Sequence, residues 1–201
     1  MPYQVLSLKW RPQTFADLVG QKHVSQTLIN AFKKDRVAQA YALTGPRGVG
    51  KTTTARIIAK ALNCKSLQNF DPCNGCSNCK EITDGRNIDL IEIDGSSNRG
   101  IEEIRTLREQ INYPPMSSSY KVYIIDEVHM LTTQAFNALL RTLEEPPSHG
   151  KFILATTDAH KIPSTIISRC QRFDFRRISN NDIKDRLLMI LDDEKIVSDP
   201  E

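Results

Sequence analysis

Short apolar runs alternate along the chain with segments whose apolar residues recur every three or four positions. The runs predict strands, and the longer period predicts amphipathic helices. In residues 100–111, for example, Ile101, Ile104, Leu107 and Ile111 fall on one helical face. This alternation predicts an α/β fold with a parallel, doubly wound sheet flanked by helices. The predicted strands are residues 40–44, 88–94, 121–127, 151–157 and 172–176, and the main predicted helices are residues 20–37, 53–63, 100–111 and 133–147.

The pattern changes near Ser179. From there, residues 180–196 (NNDIKDRLLMILDDEKI) predict a helix preceded by a capping residue. We interpret residues 1–178 as one domain and residues 179–201 as the beginning of an α-helical lid domain, which we expect to be incomplete in this chain.

The composition indicates a globular protein but does not identify its binding partners. The 201 residues are 39% apolar, which suits a globular core, and the net charge of +3 is the difference between 27 basic and 24 acidic residues. That balance neither requires nor excludes nucleic acid, so any DNA contact must be local. The first residues have no apolar signal region, and no apolar run approaches the roughly 18 residues of a membrane helix. We therefore expect a cytoplasmic protein with no membrane contact and with reduced thiols.

A glycine-rich loop follows the first predicted strand. Residues 45–52 (GPRGVGKT) match G-x-x-x-x-G-K-[ST] and lie between a predicted strand and a predicted helix, as that motif requires. Its glycines let backbone N–H groups approach phosphate oxygens, Lys51 would reach the β- and γ-phosphates, and the Thr52 hydroxyl would bind Mg²⁺. The alternative is a glycine-rich turn without function, which this context disfavours. The predicted contacts of this loop are Gly45, Arg47, Gly48, Val49, Gly50, Lys51, Thr52 and Thr53.

Two carboxylates end the strand at residues 121–127. Asp126 is placed to help hold Mg²⁺, and Glu127 to polarise the water that attacks the terminal phosphate. Thr157, together with Thr156, ends the next strand, where a hydroxyl could contact the γ-phosphate or the water. Arg169 could act on a transition-state phosphate. Threonines are also ordinary strand residues, and a surface arginine more often forms an ion pair, so both alternatives stay open.

Four of the five cysteines lie close together in the sequence. Cys64, Cys73, Cys76 and Cys79 have the spacing C-x8-C-x2-C-x2-C, and four thiolates form a closed structural zinc site. An iron–sulfur cluster also takes four cysteines, but the usual C-x2-C-x2-C-x3-C-P spacing is missing. The remaining alternative is a group of free thiols. The surrounding loop is too polar to order itself, so bound metal would supply its folding energy.

These motifs occur in a characteristic order. The segments LKWRPQTFADLVGQ, GPRGVGKT, the four cysteines, DLIEIDGSS, KVYIIDEVHML, NALLRTLEEPP, LATTD and ISRC span nearly the whole chain. Together they resemble the N-terminal portion of the bacterial DNA polymerase III gamma/tau subunits, the AAA+ ATPases of the sliding-clamp loader. The resemblance implies a P-loop NTPase fold with a zinc-binding insert, and ATP, Mg²⁺ and Zn²⁺ as cofactors.

The resemblance also implies roles for individual residues. Thr157 is similar to the family's sensor threonine, and Arg169 to the arginine finger that completes the site of a neighbouring subunit. Arg11, Pro12 and Val19 lie in the segment that folds over the adenine in this family.

The implied partners are the other clamp-loader subunits, the sliding clamp and primed DNA. The collar that closes the pentamer in this family lies beyond residue 201, so we expect this chain alone to be monomeric and a weak ATPase. Candidate DNA contacts are Arg99 and the helix start at Thr132 and Thr133, although Arg99 is equally well explained as a solvated surface residue. Two other functions remain open. One is a nucleotide-binding arm that does not hydrolyse ATP; the other is a different P-loop protein, such as a branch-migration helicase or a small-molecule kinase.

Overall fold

Five parallel strands form the centre of the structure, a computed structural model that describes residues 5–196. Their order across the sheet is β2–β3–β4–β1–β5. This confirms the predicted parallel α/β fold, and each predicted strand is found with bounds that differ by at most two residues at either end. The strands are β1 (Ala40–Thr44), β2 (Leu90–Asp94), β3 (Lys121–Asp126), β4 (Gly150–Thr156) and β5 (Gln171–Asp174).

Helices cover both faces of the sheet. All of the main predicted helices are present, whereas the short helices α1 and α4 were not predicted. The end of α6 is explained by Pro146 and Pro147, which cannot continue a helix. Its start is capped by Thr132, whose hydroxyl accepts the N–H of Ala135 at 3.2 Å. The helices are α1 (Leu6–Lys9), α2 (Lys22–Lys33), α3 (Lys51–Asn63), α4 (Ser77–Thr83), α5 (Ile101–Ile111), α6 (Thr133–Glu144), α7 (Ser164–Ile167) and α8 (Asn180–Asp193).

The core has two layers because the central strands bury both faces. All seven residues of β4 are buried: Ile153 faces the layer that contains α2 and α3, while Phe152 and Leu154 face the layer that contains α5 and α6. Residues on such a strand must be apolar on both sides, which explains the uninterrupted apolar runs in the sequence. The edge strand β2 is only partly buried, which fits its polar alternation.

The strand register brings the carboxyl ends of the strands to one edge of the sheet. Thr44 of β1 lies opposite Thr156 of β4, and Asp126 of β3 lies opposite Asp94 of β2. The glycine-rich loop after β1, the two carboxylates after β3 and the threonines after β4 therefore meet at this edge, which is where ligands bind in open α/β sheets.

The last described helix differs from the others in burial. No residue of α8 is buried, and Leu187 and Leu188 are exposed. This helix is capped by Ser179, whose hydroxyl accepts the N–H of Asp182 at 3.1 Å, and the division into two domains at this residue stays a prediction. Residues 1–4 and 197–201 of the two predicted domains lie outside the described residues. Among residues 5–196, no helix is long and apolar enough to cross a membrane.

Candidate functional site

The loop between β1 and α3 takes the shape of a phosphate-binding loop because its glycines adopt conformations that other residues avoid. Gly45 has φ +145°, and a Cβ there would lie 2.5 Å from the carbonyl oxygen of Phe175, so no side chain fits. Gly50 has φ +98° and forms the N-cap of α3. The first N–H groups of α3 therefore point into the loop, with the positive end of the helix dipole behind them.

Lys51 lies against this loop. Its side chain is largely buried, with the residue 6% exposed, and its ammonium donates to the carbonyl oxygens of Gly45 at 2.9 Å and Pro46 at 2.6 Å. Burial lowers the pKa of Lys51, and the nearby carboxylates of Glu127 and Asp126 oppose that shift. The result is a cation held where phosphate oxygens would meet the loop. Arg47 is exposed at the outer side of the same loop.

Thr52 and Asp126 form the candidate magnesium site. The Thr52 hydroxyl donates to a carboxylate oxygen of Asp126 at 2.6 Å, although the two residues are far apart in sequence. The other oxygen of Asp126 accepts the backbone N–H of Glu127 at 2.9 Å, which fixes the orientation of the carboxylate. A hydroxyl and a carboxylate are oxygen ligands of the kind that Mg²⁺ prefers beside phosphates. This pair therefore fits the ion.

Glu127 is held in an unusual conformation by three contacts. Its backbone is left-handed, with φ 46° and ψ 43°. One oxygen of its carboxylate accepts the Thr157 hydroxyl at 2.9 Å and the Thr157 N–H at 3.3 Å. The same oxygen lies 3.3 Å from Nδ1 of His129, a side chain that is mostly buried. His129 also contacts the Thr156 hydroxyl at 3.1 Å.

The sequence analysis missed His129. The signal available was its position two residues after Glu127 in DEVH, where the short 3₁₀ turn Val128–Met130 brings the ring back over the carboxylate. Both threonines of the predicted pair contact this group: Thr157 binds Glu127 itself, and Thr156 binds the histidine.

A cavity of about 620 Å³ lies beside the loop. The three residues expected near the base, Arg11, Pro12 and Val19, all line it, together with Gly48 and Gly50. Its largely apolar wall and its place at the edge of the phosphate loop suit the base and sugar of a nucleotide.

Two basic residues shape the wall of this cavity. The Nε of Arg11 donates to the Thr53 hydroxyl at 3.1 Å, and burial is the main cause that lowers the pKa of Arg11. On the far wall, Arg186 of α8 lies over the Trp10 ring, with 5.9 Å between its Cζ and the ring centroid. The sequence analysis did not predict this contribution of α8, which also includes Ile183, Leu187 and Ile190.

Arg169 lies apart from this group. Its guanidinium donates to Glu144 at 2.9 Å and to the carbonyl oxygen of Thr165 at 2.7 Å, and its side chain is partly exposed. Within residues 5–196, none of its hydrogen bonds involves the phosphate loop or the two carboxylates. The candidate DNA contacts, in turn, adjoin each other: Arg99 is exposed, and its carbonyl oxygen accepts the N–H of Thr132 at the start of α6.

The four clustered cysteines converge. Their sulfur atoms all lie within 4.8 Å of one another. The N–H of Cys73 donates to the sulfur of Cys64, and the N–H of Cys76 donates to the sulfur of Cys73. The backbone N–H groups of Cys76 and Gly75 donate to the sulfur of Cys73 and lower its pKa to about 6. Four soft sulfurs at this spacing fit a tetrahedral zinc ion.

The fifth cysteine belongs to a different part of the fold. Cys170 follows α7, and burial raises the pKa of its thiol to about 11. It therefore has the character of an inert, structural thiol.

Comparison with known protein families identifies relatives that match nearly the whole chain. Residues 20–179 match the family model described as DNA polymerase III, delta subunit. The chain is 55% identical over 196 residues to DNA polymerase III subunit tau of Bacillus subtilis, covering 98% of this chain and 35% of that protein. It is 52% identical to the tau subunit of Escherichia coli, covering 100% of this chain and 31% of that one. The chain thus spans about a third of the length of these relatives.

Solved structures share the fold at lower identity. A DNA polymerase III gamma subunit-related protein from Thermotoga maritima superposes with a TM-score of 0.52 and 24% identity, covering 78% of this chain and 46% of that one. The RuvB Holliday junction branch migration motor of the same organism gives 0.67 and 19%, covering 93% and 55%. These likenesses establish the P-loop AAA+ fold. At this identity they carry no further functional argument, and the second gives no reason to prefer branch migration.

Proposed function

Because the chain belongs to the family of DNA polymerase III gamma/tau subunits, we propose that it is the ATP-hydrolysing motor of a clamp loader, which places a sliding clamp on primed DNA. The observation that carries the proposal is the meeting of Lys51, Thr52, Asp126 and Glu127 at one edge of the sheet. A domain that only bound nucleotide would have no need for Glu127, whose carboxylate contributes to hydrolysis rather than to affinity.

The residues at this edge divide the chemistry of hydrolysis. Lys51 would leave the loop carbonyls and neutralise the phosphate oxygens, while the first N–H groups of α3 hold the same phosphates. Thr52 and Asp126 would hold Mg²⁺, which would neutralise developing charge on the phosphates. Glu127 would orient the attacking water and polarise it, and Thr157 would keep the carboxylate in place.

The cavity beside the loop would hold the nucleoside. Arg11, Pro12 and Val19 would contact the adenine, and Gly48 and Gly50 would lead from the sugar to the phosphates. Because α8 forms the far wall of this cavity, we also propose that residues 179–201 begin a lid domain whose position responds to bound ATP. The exposed apolar residues of α8 that do not line the cavity, Leu188 and Met189, support this because they suit packing against further helices.

The partners and the cofactors follow from the same proposal. The partners would be other clamp-loader subunits in a pentamer, the sliding clamp and primed DNA in the cytoplasm. Arg169, which makes no hydrogen bond to its own site within residues 5–196, would complete the ATP site of a neighbouring subunit. Arg99 and the capped start of α6 at Thr132 and Thr133 would contact DNA phosphates. Zinc at the four cysteines would be structural.

The decisive experiment is ATP turnover by the full-length protein assembled with its loader partners. We expect clamp and primed DNA to stimulate turnover. We also expect Glu127→Gln to abolish this stimulation while ATP binding is retained, because the amide keeps the shape of the carboxylate but not its charge. Glu109→Gln, an exposed change on α5, is the matched control and should behave as the unmodified protein does. An ATP turnover rate that changes neither on addition of DNA nor in Glu127→Gln would contradict the proposal. It would favour a module that uses nucleotide only for assembly.

A further inference from the structure

The cysteine loop, residues 64–79, is joined to the rest of the protein by a buried ammonium group. Lys60 on α3 is 2% exposed, and its Nζ donates to the side-chain oxygen of Asn74 at 3.0 Å. Asn74 lies between Cys73 and Cys76. The same Nζ also donates to the side-chain oxygen of Gln13. A buried ammonium needs such partners, since an unsatisfied charge away from water is costly. Lys60 therefore bridges the cysteine loop, through Asn74, and the segment around Gln13.

Asp71 provides a second connection between the same two segments. Its carboxylate accepts the backbone N–H groups of Phe15 at 2.6 Å and Ala16 at 3.2 Å. Its own backbone forms two hydrogen bonds with Gln68, at 2.8 and 2.9 Å, in a tight turn just before Cys73. The position of the carboxylate therefore depends on the fold of the cysteine loop.

The segment that these contacts hold continues into the nucleoside cavity. The side chain of Gln13 donates to the carbonyl oxygen of Arg11 at 2.9 Å, and Arg11 and Pro12 line the cavity. Residues 11–16 form no helix or strand. The Asp17 carboxylate, just after the segment, accepts the N–H groups of Gln13 and Thr14. The N–H groups of Phe15 and Ala16 instead donate to Asp71 of the cysteine loop. On one side lies the cavity, and on the other lies the cysteine loop.

We propose that the metal-bound cysteine loop holds residues 11–16 in the conformation that binds the base of the nucleotide, through Asp71 and through the Asn74–Lys60–Gln13 contacts. The inference rests on the proposed nucleotide function and assigns the zinc insert a part in it. A segment that is ordered only part of the time binds with an affinity reduced by the fraction that is ordered. The insert thus raises affinity for the base without contacting it. Contacts to the phosphates, which belong to the glycine-rich loop, do not depend on it.

The test compares ATP with tripolyphosphate, which has the phosphates but no base. In Asp71→Ala, which keeps all four cysteines, we expect the Kd for ATP to rise about tenfold. The Kd for tripolyphosphate should stay unchanged. We also expect faster hydrogen exchange at the amides of Phe15 and Ala16, both in this variant and in the unmodified chain after chelation of zinc. Asp84→Ala is the matched control, because it removes an exposed carboxylate that, among residues 5–196, pairs with Arg86 at the surface.

The outcomes separate the two proposals. Faster exchange at Phe15 and Ala16 with an unchanged Kd for ATP would overturn the role of the insert, and so would equal weakening of ATP and tripolyphosphate. An unmodified chain that binds neither ligand would instead overturn the nucleotide function itself. We expect Asp71→Ala to contain as much zinc as the unmodified chain. Loss of the metal in this variant would refute our view that Asp71 links the metal-bound loop to residues 11–16 without helping to hold the metal.

Discussion

Glu127 has a left-handed backbone, and two neighbouring side chains converge on its carboxylate. Such a conformation costs a non-glycine residue about 1–3 kcal/mol and persists only where the surroundings enforce it. Here Thr157 donates to the carboxylate, and the His129 ring lies against it. Since the Thr156 hydroxyl also contacts His129, the threonines that end β4 hold the glutamate both directly and through the histidine.

We therefore expect His129→Ala to lower the kcat for ATP hydrolysis in the assembled loader by about tenfold, because a misplaced carboxylate orients the water less well. The KM and the affinity for ATP should change little, since within residues 5–196 the polar contacts of the His129 ring are with Glu127 and Thr156 and not with the phosphate loop. The measurement is a steady-state titration together with a binding titration. His160→Ala removes an exposed histidine and should leave both constants unchanged. A larger change in KM than in kcat would contradict a positioning role.

The sequence was informative for residues whose function depends on local order. The glycine-rich loop was predicted from the spacing of its motif, and Asp126 and Glu127 were predicted because they end an apolar strand. His129 was missed because a 3₁₀ turn brings its ring to Glu127, and its position in DEVH does not by itself predict that turn. Arg186 was missed for a different reason: it meets Trp10 only when α8 folds back across the cavity, and no local pattern encodes a contact between segments so far apart in the chain.

At the scale of elements, β3 shows how a buried strand tolerates a polar atom. The Tyr123 ring is fully buried and stacks on Phe152 with 5.6 Å between centroids. Within the described residues its hydroxyl has no hydrogen-bond partner, and burial raises its pKa to about 12. A buried hydroxyl without a partner costs about 1–3 kcal/mol.

Tyr123→Phe should therefore raise the free energy of unfolding by about 1 kcal/mol, because it removes the unpaired hydroxyl and keeps the ring. Tyr41→Phe is the matched comparison. Tyr41 is equally buried, but its hydroxyl accepts the N–H of Ala38 at 2.9 Å, so this change should lower the free energy of unfolding by about 1–2 kcal/mol. Denaturant unfolding of the three proteins measures both effects. Equal shifts of the same sign would show that hydrogen bonding does not distinguish these tyrosines.

We expect the cysteine loop and α4 to depend on bound metal for their fold, whereas the strands should not. We expect purified protein to contain about one zinc ion per chain, and Cys76→Ser to lose it, since a closed site needs all four thiolates. Cys170→Ser should retain the metal, because Cys170 lies outside the cluster. Elemental analysis after purification without chelators decides this. A metal-free protein that retains a folded insert would disprove the zinc site.

The central strands β1, β3 and β4 were predictable because a strand buried on both faces must be apolar throughout, and the ends of such apolar runs are clear in the sequence. The short helices were not. Helix α4 has seven residues, of which only Cys79, Ile82 and Asn78 are buried, and it begins directly after Cys76. Such a helix gains its stability from the surrounding contacts and not from its own period.

At the scale of the whole molecule, the proposed function implies that this chain supplies part of the catalytic site of a neighbouring subunit. Arg169 is held by Glu144 at one surface, while Lys51 and Glu127 lie at the edge of the sheet. We expect this chain alone to elute as a monomer at micromolar concentration and to hydrolyse ATP weakly. Light scattering after size-exclusion chromatography measures the mass directly, and a pentamer formed by this chain alone would contradict the prediction.

In the assembled full-length loader, Arg169→Ala should lower stimulated turnover by about a hundredfold or more, since such an arginine stabilises transition-state charge. ATP binding by the isolated chain should not change. Arg172→Ala, which removes a nearby exposed arginine paired with Asp174, is the control. A loss of ATP affinity in the isolated Arg169→Ala chain would place the arginine in its own site instead.

The sheet order also governs when the protein can first fold during its synthesis. The phosphate loop follows β1, but the neighbours of β1 in the sheet are β4 and β5, residues 150–156 and 171–174. A ribosome working at about 5–20 residues per second needs on the order of ten seconds to supply them after β1 has been made. Until then the apolar residues 40–43 have no sheet partner. We therefore expect the nascent chain to expose this apolar strand for that interval, during which a chaperone would bind it or a late folding step would bury it.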